Sequence, residues 1–194
     1  QPNLAMILGG TGARLEDLVG AYTALIREGV AGRVRYRPGD PRIDRRLLSP
    51  GAAWIIRETL EANPRPGSVA DTFDPGGRPR VAWKTGTSWG LRDGWAVGVT
   101  RRHTVGVWVG NASGEGRPGL TGSTMAAPLM FALFNGLPAS PWLDAPMHAL
   151  RTVELCANDG YLATEFCRSE PAWIPRDARF TLLSPHHTRV HLDA

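Results

Sequence analysis

The sequence predicts an α+β fold: an antiparallel sheet flanked by helices. Three observations predict it. An apolar face of helical period runs over residues 11–29, three strand-like runs follow in quick succession over 81–109, and an apolar helix-like run spans 125–135. Helices, then consecutive strands, then a helix is a layered order, unlike the alternation of a parallel βαβ fold.

Each element has a local cause. Leu15, Leu18, Val19, Tyr22, Leu25 and Ile26 share one face at a 3.6-residue period. Thr11 or Gly12 is placed to cap that helix, and Gly29 to end it. Residues 30–48, rich in Gly, Pro and Arg, predict short strands and loops. Ser49-Pro50 opens a second helix, because Ser caps and Pro tolerates the first helical position; the helix should run to about Asn63, before Pro64. Pro-Gly pairs at 66–67 and 75–76 make 65–80 a loop. Strands are expected at 81–85, 95–100 and 104–109, where Val97, Val99, Val105, Val107 and Val109 supply β-branched side chains. Arg101-Arg102-His103 reads as a hairpin link. Gly98, Gly106 and Gly110 predict close packing against one face of the sheet. Ser123 should open the last helix, with Pro128 early enough to be tolerated and Gly136 and Pro138 as stops. Residues 139–194 change texture: Pro, Asp, Arg and His with weak periodicity predict an appended segment.

At 42% apolar and 21% charged residues, the chain has the balance of a packed soluble domain. No apolar run approaches the ~20 residues of a membrane span. No charged-then-apolar leader opens the chain, which begins at Gln1 without an initiator Met. Any address or anchor is expected upstream. The formal charge of +4 could draw anionic partners, but the arginines are scattered and do not alternate with aromatics, so no nucleic-acid face is expected. Cys156 and Cys167 fit neither a CxxC nor a zinc-ligand spacing; a short disulfide loop and two free thiols both remain open.

Lys84 is the only lysine, in a chain otherwise supplied with Arg. It opens Lys84-Thr85-Gly86-Thr87 at the end of the first strand-like run. Arg cannot replace Lys where a compact or titratable ammonium is needed. Strand alternation puts Lys84 and Gly86 on one face. Lys84 offers a positive charge to an anionic substrate, and Gly86 removes a side chain that would block an approaching acyl group. Thr85 and Thr87 supply hydroxyls for a carboxylate, and the Thr87 N–H can face a developing oxyanion. Alternation alone does not bring both hydroxyls beside Lys84. A bare K-T-G is also a common strand end with a solvated lysine, so its surroundings decide.

Those surroundings carry a resemblance. The run Val81–Gly98 resembles the K-T-G-T strand, polar loop and D-A-W strand of penicillin-binding proteins. Val105–Asn111 resembles their V-W-V-G strand, and Leu120–Pro128 the T-G-G-x-x-A-A-P opening of their last helix. Leu8-Gly9-Gly10 through Tyr22 resembles the helix after their second catalytic motif. The match covers roughly residues 4–138. The tail, with Cys156, Cys167, Trp173-Ile174-Pro175 and Ser184-Pro185-His186, resembles the segment after the transpeptidase domain in class A proteins of the 1C type. There a cysteine commonly stands at the place of Ser184; its absence leaves two cysteines, which suits a single Cys156–Cys167 pair. His186, His187 and His191 fit a polar surface turn better than a metal site, and no cofactor is expected.

The resemblance implies the penicillin-binding transpeptidase fold, shared with β-lactamases. Residues 1–138 would be the C-terminal portion of that domain, and 139–194 the start of a C-terminal extension. It further implies a serine D,D-transpeptidase that cross-links peptidoglycan stem peptides ending in D-Ala-D-Ala through an acyl-enzyme and binds β-lactams. Lys84 would be catalytic; Thr85, Gly86 and Thr87 would bind substrate. The full protein would be periplasmic, tethered to the inner membrane by an upstream anchor, and would carry a glycosyltransferase domain. The chain departs from the family's pattern at the nucleophile. S-x-x-K needs a serine three residues before a lysine, and Val81 stands there before the only lysine. The S-x-N element is expected upstream of Gln1. The rest of its own domain is therefore an expected partner, and covalent chemistry is not expected of these residues alone. A non-catalytic interaction module that keeps K-T-G by descent is the competing reading. A class A β-lactamase fits less well, given the tail.

Overall fold

The computed structural model describes Leu4 and residues 11–66 and 79–186. The Leu8-Gly9-Gly10 motif, most of the 65–80 loop, His187 and His191 lie outside the described residues.

The first helix is shorter than its apolar period. Helix α1 (Leu15–Tyr22) gives way to a 3-10 turn over Thr23–Ile26. Thr23 accounts for the tightening. Its hydroxyl donates to the Gly20 carbonyl at 2.6 Å and accepts the Gly32 N–H at 2.8 Å. Neither Thr11 nor Gly12 caps α1; the N-cap is Arg14, whose guanidinium instead pairs with Asp17 at 2.9 Å. Gly29 ends the segment as expected, with φ of +88° that a side chain would resist. Strands β1 (Val30–Gly32) and β2 (Asp44–Arg46) then pair antiparallel. Helix α2 (Pro50–Glu61) begins as the sequence dictates: Ser49 Oγ accepts the Ala52 N–H at 3.3 Å and Pro50 fills the first turn.

The central sheet is β3 (Ala82–Thr87), β4 (Asp93–Val99) and β5 (Thr104–Gly110), antiparallel in the order β3-β4-β5. The expected hairpin is present: Thr100 N–H donates to His103 O at 2.9 Å across the link. Registers Trp83↔Gly98 and Gly98↔Val105 set one face; Ala82↔Val99 and Val97↔Gly106 set the other. Helix α3 (Ala127–Asn135) covers the first face with Met130, Phe131 and Phe134, packed on Val81, Trp83 and Ala96. Phe131 meets Trp83 edge-on at 5.1 Å. Leu25, with Tyr22, Ile26 and Leu60, covers Ala82 and Val99 on the second. Each large side chain so buried contributes on the order of 2 kcal/mol.

The sequence expectation that the glycines admit packing on one face is corrected here. A Cβ on Gly98 would meet Val81, Met130 and Phe134 at 2.9–3.0 Å, on the α3 face. A Cβ on Gly106 would collide with Val19 and Leu15 of α1, on the opposite face. Residues 98 and 106 sit on neighbouring strands one register step apart, so alternation sends them to opposite sides. The last helix also opens differently. Thr121, not Ser123, is the cap: its hydroxyl accepts the Thr124 N–H at 3.1 Å, and a π-helical turn over Gly122–Ala126 precedes α3.

Beyond residue 139 lies a second antiparallel pair, β6 (Leu150–Cys156) and β7 (Ser169–Pro175). A Cys156–Cys167 disulfide ties its far end. Its near end sits on α2, where Gly51 leaves room for the Ala149 carbonyl and Pro175. Trp142 fastens the connection. Arg57 lies 5.4 Å and Arg80 4.8 Å from its ring, and its indole N–H donates to Glu58 at 3.0 Å. Arg57 is 4% exposed; burial pulls its pKa below the usual guanidinium value, partly offset by the hydrogen bond to Glu58.

Candidate active site

Lys84, Thr85, Gly86 and Thr87 all lie in the second half of β3. The strand is anchored by buried Ala82 and Trp83, and its last four residues emerge into solvent, with only Thr85 half-buried. β3 is an edge strand of its sheet among the described residues.

Hydrogen-bond alternation determines what the edge presents. Ser88 N–H donates to Asp93 O at 3.0 Å, which closes the ladder at that pair. In an antiparallel ladder alternate pairs are hydrogen-bonded, so Gly86 and Lys84 point their backbone groups at β4. Those of Thr87, Thr85 and Trp83 point to the open edge. The Trp83 carbonyl bears this out, since it accepts Asn63 Nδ2 at 3.0 Å from outside the sheet. The Thr85 carbonyl accepts Lys84 Nζ at 2.8 Å. The Lys84 ammonium therefore curls to the same edge at which the Thr87 N–H emerges.

The side chains divide between faces. Lys84 and Gly86 share a face with Trp95, which pairs with Gly86, and with Trp108, which pairs with Trp95. Thr85 and Thr87 lie on the other, and the Thr87 hydroxyl accepts the Gly122 N–H at 3.0 Å. Gly122 is packed against the Gly86 and Trp95 carbonyls, so the start of the last helix is pressed onto the strand end. The structure thus brings the four residues to one strand end, while the two hydroxyls stay on the side away from the Lys84 stem.

Sequence reasoning missed the residues that hold this strand end in place. Asp93 Oδ1 accepts the Trp108 indole N–H at 2.8 Å, and Asp93 N–H donates to Ser88 Oγ at 2.8 Å. Ser88, Asp93 and Trp108 so link the ends of β3, β4 and β5. The local signal was a Ser and an Asp flanking a Gly-containing turn. Nothing local shows that Trp108 reaches Asp93. Of the three tail histidines only His186 is described; it packs edge-on against Tyr161 at 5.7 Å.

A scan against protein-family models finds no match. Penicillin-binding protein 1C of Escherichia coli (strain K12) is 49% identical over 136 residues, which is 69% of this chain and 17% of that protein. Penicillin-binding protein 1A of Clostridium perfringens is 24% identical over 160 residues, 77% of this chain and 19% of that protein. The chain therefore spans under a fifth of the length of either relative. Among solved structures, penicillin-binding protein 1A from Haemophilus influenzae matches the fold with a TM-score of 0.58, covering 87% of this chain and 32% of that one at 13% identity. The α+β fold read from the sequence is the fold of that structure. The sequence match, the fold match and the exposed K-T-G strand end converge: over the residues they cover, this chain is a segment of class A penicillin-binding protein type, of the 1C kind.

Proposed function

We propose that this chain forms the K-T-G side of the active site of a peptidoglycan D,D-transpeptidase. Residues 1–138 would belong to the catalytic domain and 139–194 to a C-terminal extension. The observation that carries this reading is the emergence of Lys84–Thr87 from a doubly covered sheet at an open strand edge, where the Lys84 ammonium and the outward Thr87 N–H lie together.

In this reading the terminal carboxylate of a D-Ala-D-Ala stem peptide is drawn to Lys84 and the threonines. The penultimate carbonyl sits against the Thr87 N–H, which stabilises the oxyanion as it forms. A serine supplied from outside these residues attacks that carbonyl, D-Ala leaves, and the amine of a second stem peptide resolves the acyl-enzyme into a cross-link. Water in place of the amine would give hydrolysis. A β-lactam carries a carboxylate and a strained amide in the same relation and would acylate the same serine.

The test is labelling with a fluorescent penicillin. The full-length protein should become covalently labelled, the isolated chain should not, and Lys84→Ala in the full-length protein should slow labelling by at least ~100-fold, the scale on which loss of a preorganised electrostatic group acts. Labelling of the isolated chain would show that the nucleophile is not external. An intact full-length protein that resists labelling would leave a non-catalytic module.

A further inference from the structure

Scattered along the chain as a whole, the arginines concentrate in one stretch. Residues 33–46 hold six arginines against two aspartates, a surplus of +4 that equals the formal charge of the whole chain, so all other residues together balance. This stretch comprises the β1-β2 link and β2 itself. Its two aspartates are already engaged. Asp44 pairs with Arg27 at 2.8 Å and with Arg42 at 2.7 Å. The Asp40 carboxylate accepts the Tyr36 and Arg37 backbone N–H groups, both at 2.9 Å. Arg46 directs its guanidinium to the Glu28 and Leu48 carbonyls. The side chains of Arg33, Arg37 and Arg45 form no hydrogen bond or ion pair among the described residues.

Two of those three arginines face a groove. Arg33 N–H donates to Ile43 O at 2.9 Å, and Ala31 pairs with Arg45. Alternation therefore puts Arg33, Ile43, Arg45 and Leu47 on one face of the pair. Helix α1 meets β1 at Gly20, where a Cβ would come within 2.7 Å of the Gly32 carbonyl. Beside that contact, between helix and hairpin, lies a groove of about 330 Å³. Ala31, Ile43 and Leu47 give it an apolar lining, Arg33 and Arg45 stand on the hairpin side, and Glu16 and Asp17 on the helix side. Both acids already pair with Arg14, and Glu16 also accepts the Tyr36 hydroxyl. The Arg14 hydrogen bond holds the Asp17 carboxyl below its usual pKa, and Arg33 adds to this only through its longer-range field. Ile43 and Leu47 are each 47% exposed, so the apolar lining is uncovered beside two unpaired guanidinium groups.

We propose that this groove docks a segment of another polypeptide in which carboxylates alternate with aliphatic side chains. Arg45 and Arg33 take the carboxylates through paired N–H donors. The aliphatic neighbours cover Ile43 and Leu47, which gain from leaving water. A concave site of this volume holds a few side chains. A phosphate polymer or a lipid surface fits it less well. Neither uses the apolar lining, and a continuous run of negative charge would lie against Glu16 and Asp17 as well as against the arginines. This docking involves none of Lys84–Thr87 and does not depend on the transpeptidase reading.

The experiment uses the full-length protein and a short fluorescein-labelled peptide in which Glu alternates with Leu, followed by fluorescence anisotropy. The wild type should bind this peptide, and should bind the counterpart with Gln in place of Glu at least about tenfold more weakly, the scale of a lost charge-assisted pair. Arg45→Gln and Arg33→Gln should each weaken binding of the Glu-Leu peptide about tenfold. Ile43→Ser should weaken it about fivefold through lost apolar contact. Arg37→Gln makes the same charge change in the link outside the groove and should leave binding within about twofold, since an exposed charge acts weakly at a distance. All four positions are exposed, so the variants should fold, and an unchanged Tm checks this. An equal loss in Arg37→Gln and Arg45→Gln would show that net charge alone attracts the peptide and would overturn the groove. So would the absence of wild-type binding, or binding unchanged in both Arg45→Gln and Arg33→Gln. Inorganic polyphosphate and phosphatidylglycerol vesicles are the comparison probes. Tighter binding of either one than of the peptide, lost in Arg45→Gln, would assign the arginines to phosphate and overturn the proposal.

Discussion

Among the described residues, the two largest sheets use the same antiparallel pairing and are held by different forces. The β3-β4-β5 sheet lies between α3 on one face and α1, its following turn and α2 on the other, and its interior strand β4 is buried over most of its length. The β6-β7 pair has few buried positions; Leu150 and Cys156 mark its two ends. In place of a core it has the Cys156–Cys167 bond at one end and the Trp142 clamp on α2 at the other. A two-stranded pair is at best marginal in water by itself, so these fastenings account for its order. Apolar burial fixes the sheet that carries the candidate site, and discrete bonds fix the appendage.

The sharpest way to break this contrast is through Gly98. Gly98→Val would force methyl groups into Val81, Met130 and Phe134, and about 3 kcal/mol of stability should be lost, the upper range for overpacking. Thermal unfolding reads this; an unchanged Tm would mean that α3 is not seated as described. The disulfide is expected to matter about as much. Replacing Cys156 and Cys167 with Ser should cost about 3 kcal/mol, as for a short closed loop. The loss should be local: amide hydrogen exchange should quicken over 150–175 and stay unchanged in β3-β4-β5. Uniform quickening would show that the two sheets share one cooperative unit. Trp142→Ala should cost roughly 1–2 kcal/mol by removing two cation–π contacts and an indole hydrogen bond. Exchange should then rise in the β6-β7 pair and at its seat on α2, near Gly51.

The smallest effect concerns the β1-β2 pair, whose β2 strand is exposed. A hydrogen bond from Arg27 at 2.8 Å holds the Asp44 carboxyl below its usual pKa, with Arg42 adding to it. A depressed carboxylate contributes stability that is fully present above its unfolded-state pKa and lost as pH falls through the folded one. Asp44→Asn should therefore lower stability at neutral pH, only slightly because such surface pairs are weak, and leave strongly acidic pH unaffected, which flattens the acid limb of the stability profile. An unchanged acid limb would show that the Arg27–Asp44 pair adds nothing.

What the sequence revealed follows the range of the interactions involved. The Ser49-Pro50 helix start, the hairpin over 101–103 and the Gly29 stop depend on neighbours within a few residues, and all three are where their residues dictate. The early end of α1 depends on Gly32 reaching Thr23, nine residues away in sequence. The opposite facing of Gly98 and Gly106 depends on register, which no single run specifies. The 139–194 segment looked aperiodic because β7 contains Pro171 and Pro175, residues that suit an edge strand and disguise it. At the site, the strand end and its K-T-G residues were legible, whereas the Ser88–Asp93–Trp108 ties were not, since they join three strands.

The solitary lysine has a practical consequence. Arg side chains do not react with amine-directed acylating reagents under conditions in which Lys does, so Lys84 is the one side chain within these residues that such a reagent can mark. It is exposed, and its amine lies against the Thr85 carbonyl at the open edge. A single peptide in a mass map therefore becomes a protection footprint of that edge. Any molecule that settles there should shield residue 84 from modification, and one that binds elsewhere should not.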